Sequence, residues 1–285
     1  MYYHYTYFNK FRQNNIVNKL IFINVGIFIL MQFVDVVSYL FQVKTGIYQQ
    51  WLALPASISI LINKPWTIIT YMFLHANFFH LLFNLLWLYW FGKLFGEFIG
   101  YNKLLVNYIL GGILGGLIFI LSYNIFPAFT NYKDYSLAMG ASASIMAIVV
   151  STSLYIPNYK INILFLGSIK IIYIMIFSLL IDFLTIDQGN PGGKISHLGG
   201  ALWGYLFIVL YKNKIDITKF FNKWKFNKKP VKVFYQRPLT DEEYNYQRAE
   251  RQKKIDEILD KISRSGYNSL TKEEKELLFK ATKQY

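Results

Sequence analysis

Residues 139–150 read M-G-A-S-A-S-I-M-A-I-V-V, a run apolar enough for a membrane that nevertheless opens on glycine, alanine and two serines. Such hydroxyls either bond back to their own helix or take part in chemistry. The surroundings of the run decide between the two. The chain has 285 residues, of which 54% are hydrophobic and 16% charged, against about 25% charged in typical soluble domains. This composition predicts a membrane protein. Of 16 acidic residues, only Asp35, Glu97, Asp134, Asp182 and Asp187 precede Lys212, and 11 fall in the last 74 positions. A polar tail therefore follows an apolar core. The chain has no cysteine, which excludes a disulfide, a thiolate nucleophile and a Cys-built zinc site. Near the N-terminus, Lys10, Arg12 and Lys19 precede a long apolar segment without a small-residue cleavage site, the pattern of an anchor rather than a signal peptide.

A helix needs roughly 20 mostly apolar residues to cross the hydrocarbon layer. Six stretches qualify, near 17–41, 76–92, 104–123, 137–156, 167–184 and 195–211. The fourth and sixth are rich in small residues. The spacing Gly200-x-x-x-Gly204 and the run Gly111-Gly112-x-x-Gly115-Gly116 suit close helix packing, so these spans read as interior helices. With a cytoplasmic N-terminus, the inner side carries nine lysines and arginines and the outer side four, which orients both termini to the cytoplasm. Residues 42–74, with Pro55, Pro65 and Trp66, are expected in or on the outer interface.

In this orientation the second, fourth and sixth spans all run from outside to inside. Their outward ends carry His75, His80 and Asn84, then Ser142 and Ser144, then Ser196 and His197. His80 and Asn84, four apart, share one helical face. Ser142 and Ser144 point about 200° apart, so only one can face a given histidine. Ser144 reads as a serine bonded to a carbonyl one turn earlier, and His75 as a group bonded to loop backbone. Serine chemistry requires a hydroxyl, a base to take its proton and donors for the developing oxyanion. Ser142 is the candidate nucleophile and His197 the candidate base. His80, Asn84 and the Ser142 backbone N–H are the candidate oxyanion donors, helped by the positive ends of the helices. Asp182 and Asp187 lie at the end of the fifth span and in the following loop. No carboxylate is thus expected to orient His197, and the site reads as a dyad. Three imidazoles could bind zinc, but no His-Glu-x-x-His motif or second carboxylate accompanies them, so no metal is expected.

The stretch Pro65-Trp-Thr-Ile-Ile-Thr-Tyr-Met-Phe-Leu-His75, with His80-x-x-x-Asn84, Gly140-x-Ser142 and His197-x-x-Gly200-x-x-x-Gly204, resembles the rhomboid family of intramembrane serine proteases over residues 14–211. The resemblance implies an all-α, six-transmembrane-helix bundle. It implies Ser142 as nucleophile and His197 as general base in a water-filled cavity opening outward, with His80 and Asn84 in the oxyanion hole. It also implies substrate entry beside the fifth helix and loop 189–193, and no cofactor or metal. One departure stands out: the family pattern is usually Gly-x-Ser-Gly, and Ala143 occupies the last place, where its methyl could crowd the oxyanion hole. Because a regular helix hides its carbonyls, the expected substrates are single-span proteins cut near their outer end, with small residues at the cut and Gly or Pro nearby.

The expected organisation is a core over residues 1–211, a basic juxtamembrane linker over 212–239 and a small cytosolic helical hairpin over 240–285. From Lys212 to Lys232 there are eight lysines and one aspartate, a pattern that suits anionic lipid headgroups and equally a soluble linker. Thr240-Asp-Glu-Glu243 and Thr271-Lys-Glu-Glu274 fit capping boxes, and Ile255, Ile258, Leu259 and Ile262 form one stripe for Leu277, Leu278 and Phe279 to cover. The tail resembles the short cytosolic modules of some bacterial rhomboids, which points to a bacterial cytoplasmic membrane. Its 19 basic and 11 acidic residues are explained by the membrane rather than by nucleic acid. The competing readings are a non-catalytic rhomboid-like protein that binds transmembrane helices, against which the Ser142/His197 pair argues, and a transporter or channel, whose polar path would cross the whole membrane.

Overall fold

Apolar runs punctuated by Gly, Pro and Asn set the helices, which a computed structural model describes over residues 15–163, 167–217 and 241–282. The chain divides into two compact units, residues 1–225 and 226–285. In the first, six longer helices follow one another: α1 (Asn15–Leu40), α2 (Phe78–Phe95), α3 (Tyr101–Ile125), α4 (Ser142–Tyr155), α5 (Ile171–Leu184) and α6 (Pro191–Lys212). Among the described residues, two stretches are long and apolar enough to cross a membrane, Ile16–Leu40 and Phe78–Ile125. The second holds both α2 and α3, joined by a π-helical turn at Gly96–Gly100. Gly100, with φ +118°, leaves the right-handed helical region there.

Several boundaries differ from the sequence expectation, each for a local reason. The fourth helix starts at Ser142 rather than near 137, because Leu137–Ala138 (β2) pairs antiparallel with Leu54–Pro55 (β1). The fifth starts at Ile171, because Gly167–Lys170 (β4) pairs with Lys160–Ile163 (β3). The sixth starts four residues early, at Pro191, because the Asn190 side chain accepts the Gly193 N–H (3.0 Å) and proline suits the first helical position. The described part of the unit is therefore helical with two small two-stranded sheets.

Helix α4 is the centre of this unit, buried from Ala143 to Ser153 except at Met146. Glycines make that possible. A methyl built on Gly115 of α3 would come 2.6 Å from the Ala143 methyl, and one on Gly204 of α6 would come 2.5 Å from the Ala147 carbonyl oxygen. Methyls on Gly111 and Gly200 would overlap Ala147 and the Ala143 carbonyl outright. Two Gly-x-x-x-Gly ladders thus grip the Ala143/Ala147 edge of α4 from both sides. Residues 42–74 fold into short helices over Ile47–Leu52, Ile58–Asn63 and Thr67–Thr70. They are tied by Trp66 Nε1–H to the Trp51 carbonyl (2.7 Å), Thr70 Oγ1–H to Leu52 (2.6 Å) and Lys64 Nζ to Gln50 (2.8 Å). The Asp35 carboxylate, at the end of α1, accepts the Gly46 N–H (2.8 Å) and the Tyr48 hydroxyl (3.0 Å).

In the second unit, α7 (Asp241–Ser265) turns through Gly266, at φ +77°, into α8 (Lys272–Thr282). The capping box at Thr271 forms in both directions. Its N–H donates to Glu274 Oε2 (2.7 Å), and the Glu274 N–H donates to Thr271 Oγ1 (3.3 Å). Ile258 and Leu270 are buried, while Leu259 and Phe279 of the expected apolar contact stay exposed. Thr240, the lysines of 219–232, Lys10 and Arg12 lie outside the described residues.

Candidate active site

The turn before α4 explains the Gly-x-Ser spacing. Gly140 sits at φ +130° and donates its N–H to the Tyr71 carbonyl (2.9 Å). A methyl there would come 2.8 Å from His80 Cε1, 2.9 Å from His80 Nε2 and 3.5 Å from Ser142 Oγ. Both the backbone angle and the imidazole above it therefore demand glycine. The turn delivers Ser142 to the first helical position of α4, where the cap residue Ala141 offers no side chain to the leading N–H groups. Those donors stay available beside the hydroxyl.

On α2, Asn77 caps the helix by accepting the His80 N–H (2.8 Å). The Ala76 N–H points at His80 Nδ1 across a long 3.5 Å. A neutral imidazole that accepts at Nδ1 carries its proton on Nε2, the nitrogen that faces Gly140. Asn84, one turn further and buried, donates one amide hydrogen to the His80 carbonyl (2.8 Å) and keeps a second. His75 packs its ring edge-on to His80 at 5.2 Å, and both its nitrogens are buried without a hydrogen-bond partner among the described residues.

A cavity of about 520 Å³ collects Ser142 of α4, His80 and Asn84 of α2, and Asp182 of α5 with His197 of α6. Its walls are otherwise largely apolar, with Trp87, Met146 and Phe177 among them. Ser142 shares its face of α4 with Ile145, Met146 and Val149, which also line the cavity. Ser144 points elsewhere: its Oγ would lie 2.5 Å from a methyl on Gly112 of α3, and it bonds to no carbonyl. The Ala143 methyl also faces away from the cavity, into the notch at Gly115. No hydrogen bond joins Ser142 and His197, a looseness common before substrate binds. Among the described residues no three His, Asp or Glu side chains gather as metal ligands.

The expectation that no carboxylate reaches His197 is corrected. Asp182 Oδ2 lies 2.9 Å from His197 Nδ1, with the side chains 15% and 24% exposed. Helices α5 and α6 are consecutive, joined by residues 185–190, so the end of one and the start of the other share one side. Counting residues from each helix end puts the two groups at different depths; the packing brings them level. A single acidic residue in the otherwise uncharged α5 was the available signal.

Residues 63–214 match the Rhomboid domain, and residues 240–283 match a family of unknown function, DUF6576. The chain is 30% identical to Rhomboid-like protease 3 of Toxoplasma gondii over 162 residues, 55% of this chain and 56% of that protein. It is 30% identical to the mitochondrial RHOMBOID-like protein 12 of Arabidopsis thaliana over 47% of this chain and 43% of that one. It is 24% identical to Rhomboid protease GlpG of Haemophilus influenzae over 54% of this chain and 76% of that one. The chain thus spans about half the length of the first two relatives, and the three come from eukaryotes and a bacterium alike. Since the domain match covers more than half of the 285 residues and takes in α2, α4, α5 and α6, the helices that line the cavity, this membrane protein belongs to the rhomboid family.

Proposed function

We propose that this chain is an intramembrane serine endopeptidase with Ser142 as nucleophile and His197 as general base. The reading rests on one observation: a serine, two histidines and an asparagine from three helices line a single cavity. Ser142 Oγ attacks the scissile carbonyl as His197 takes its proton. The His80 Nε2–H, the free Asn84 amide hydrogen and the Ser142 N–H stabilise the oxyanion. Collapse breaks the C–N bond, and His197 gives its proton to the leaving amine. Water then hydrolyses the acyl-enzyme by the same route.

In this reading helices α1 to α6 form a six-span membrane bundle with both termini cytoplasmic and the cavity toward the outer face. Residues 1–211 form the protease core, 212–239 a linker that meets anionic headgroups, and 240–285 a cytosolic module. Substrates are single-span helices, unwound near their outer end by Gly or Pro. Labelling by a fluorophosphonate probe in membranes tests the assignment. The wild type should label, and Ser142→Ala and His197→Ala should lose the signal. Equal labelling of all three would reject it.

A further inference from the structure

We propose that Asp182 is a positioning residue for His197, holding the imidazole with its proton on Nδ1 so that Nε2 is free to accept the Ser142 proton. The inference rests on the serine-peptidase reading above and adds a residue to it. An ionised carboxylate can only accept hydrogen bonds, so at 2.9 Å the His197 Nδ1 must be the donor. A neutral imidazole with hydrogen on Nδ1 has its lone pair on Nε2, and the bond at one nitrogen fixes the role of the other. Asp182 and His197 line the same cavity as Ser142.

Two further observations support a held pair rather than a chance contact. Asp182 is the one charged residue of α5, in the sequence IIYIMIFSLLIDFL. A carboxylate in such a segment is costly unless paired, and the His197 Nδ1–H is its hydrogen-bond partner. The end of α5 is also strapped to α6. Lys194, one turn before His197, donates its ammonium to the carbonyls of Thr185 and Gln188, the latter at 2.6 Å. The Thr185 hydroxyl donates to the Ile181 carbonyl (2.6 Å). The strap leaves the cation on carbonyls and the carboxylate on the imidazole.

A staple between two helices would use the same contact but would not set a tautomer, so the test reads both. In the full chain carrying Ser142→Ala, in nanodiscs and labelled with ¹⁵N-histidine, His197 should show Nδ1 protonated and Nε2 bare. Adding Asp182→Asn should move it toward the Nε2–H form. In the active protein, Asp182→Asn should lower kcat against a fluorogenic transmembrane substrate by about 10²–10⁴-fold and leave KM within about threefold. Asp182→Glu should recover part of the loss. An Nε2–H tautomer with Asp182 in place would overturn the proposal, as would an unchanged kcat in Asp182→Asn. If the wild type neither labels nor cleaves, the peptidase reading fails, and the ¹⁵N spectrum still decides whether Asp182 sets the ring.

Discussion

Helices α1 and α4 invert what hydrophobicity would predict in water. Helix α1 has 26 residues, long and apolar enough to cross a membrane, yet it faces outward along most of its length, with Leu30 54% exposed and Phe33 64%. Helix α4 has 14 residues, about 21 Å at 1.5 Å each, short of the ~30 Å hydrocarbon layer. It carries five serines and threonines and is the most enclosed. In lipid, apolar side chains gain little by meeting one another, and small residues that let backbones approach are favoured inside. The hydroxyls of α4 are tolerated because most are paired. Ser151 Oγ donates to the Gly204 carbonyl and accepts from Asn107 Nδ2, both at 3.1 Å, and Thr152 Oγ1 donates to Ile148 (2.7 Å).

The largest test of that contrast is Gly200→Val. Its first methyl-bearing carbon would overlap the Ala143 carbonyl, backbone adjoining Ser142. Overpacking costs about 1–3 kcal/mol, and more where the obstacle is backbone. Thermal unfolding in micelles should show at least about 3 kcal/mol lost, with fluorophosphonate labelling abolished. A near-native melting temperature would mean that α4 and α6 are not locked.

Ile148→Ala, at a fully buried position of α4, should cost roughly 2–5 kcal/mol through the cavity it leaves. Leu30→Ala on α1 should stay within about 0.5 kcal/mol. Equal losses from these two substitutions would erase the distinction between the helices. Ser144→Ala should change stability by no more than about 0.5 kcal/mol, or raise it, since the buried Oγ has no partner to lose. A clear loss would reveal a bonded hydroxyl.

The smallest effect belongs to the second unit, at a single half-buried contact between two helices. Hydrogen bonds from Lys261 Nζ (2.9 Å) and the Thr271 N–H hold the Glu274 carboxyl below its ordinary 4.5. A depressed acid adds stability above its unfolded value and loses it as pH falls through the folded one, so the hairpin should loosen only in acid. Lys261→Ala should move the Glu274 titration toward 4.5, read by ¹³C NMR of the carboxyl. An unmoved midpoint would remove the ion pair from the account.

Local pattern made much of this molecule legible. Apolar runs located all six helices, glycine spacing marked α3, α4 and α6 as close-packed, and Thr271 with Glu274 announced a cap that forms. The alternation of helix direction placed Ser142, His80, Asn84 and His197 near one end, and one cavity holds them. The Ala143 methyl was misjudged because its direction depends on which neighbour α4 meets, and that neighbour is Gly115. The strands were missed because each is two to four residues long and exists only through its partner.

Sequence alone determined that this chain is a membrane helix bundle with a polar tail, and which residue types could do serine chemistry. Those properties follow from composition and from periodicity along a single helix. The tertiary structure decided which side chains touch: His80 over Gly140, Ser144 turned from the cavity, and Asp182 on His197. Such contacts depend on the relative depth and rotation of separate helices, which packing sets and no local spacing records.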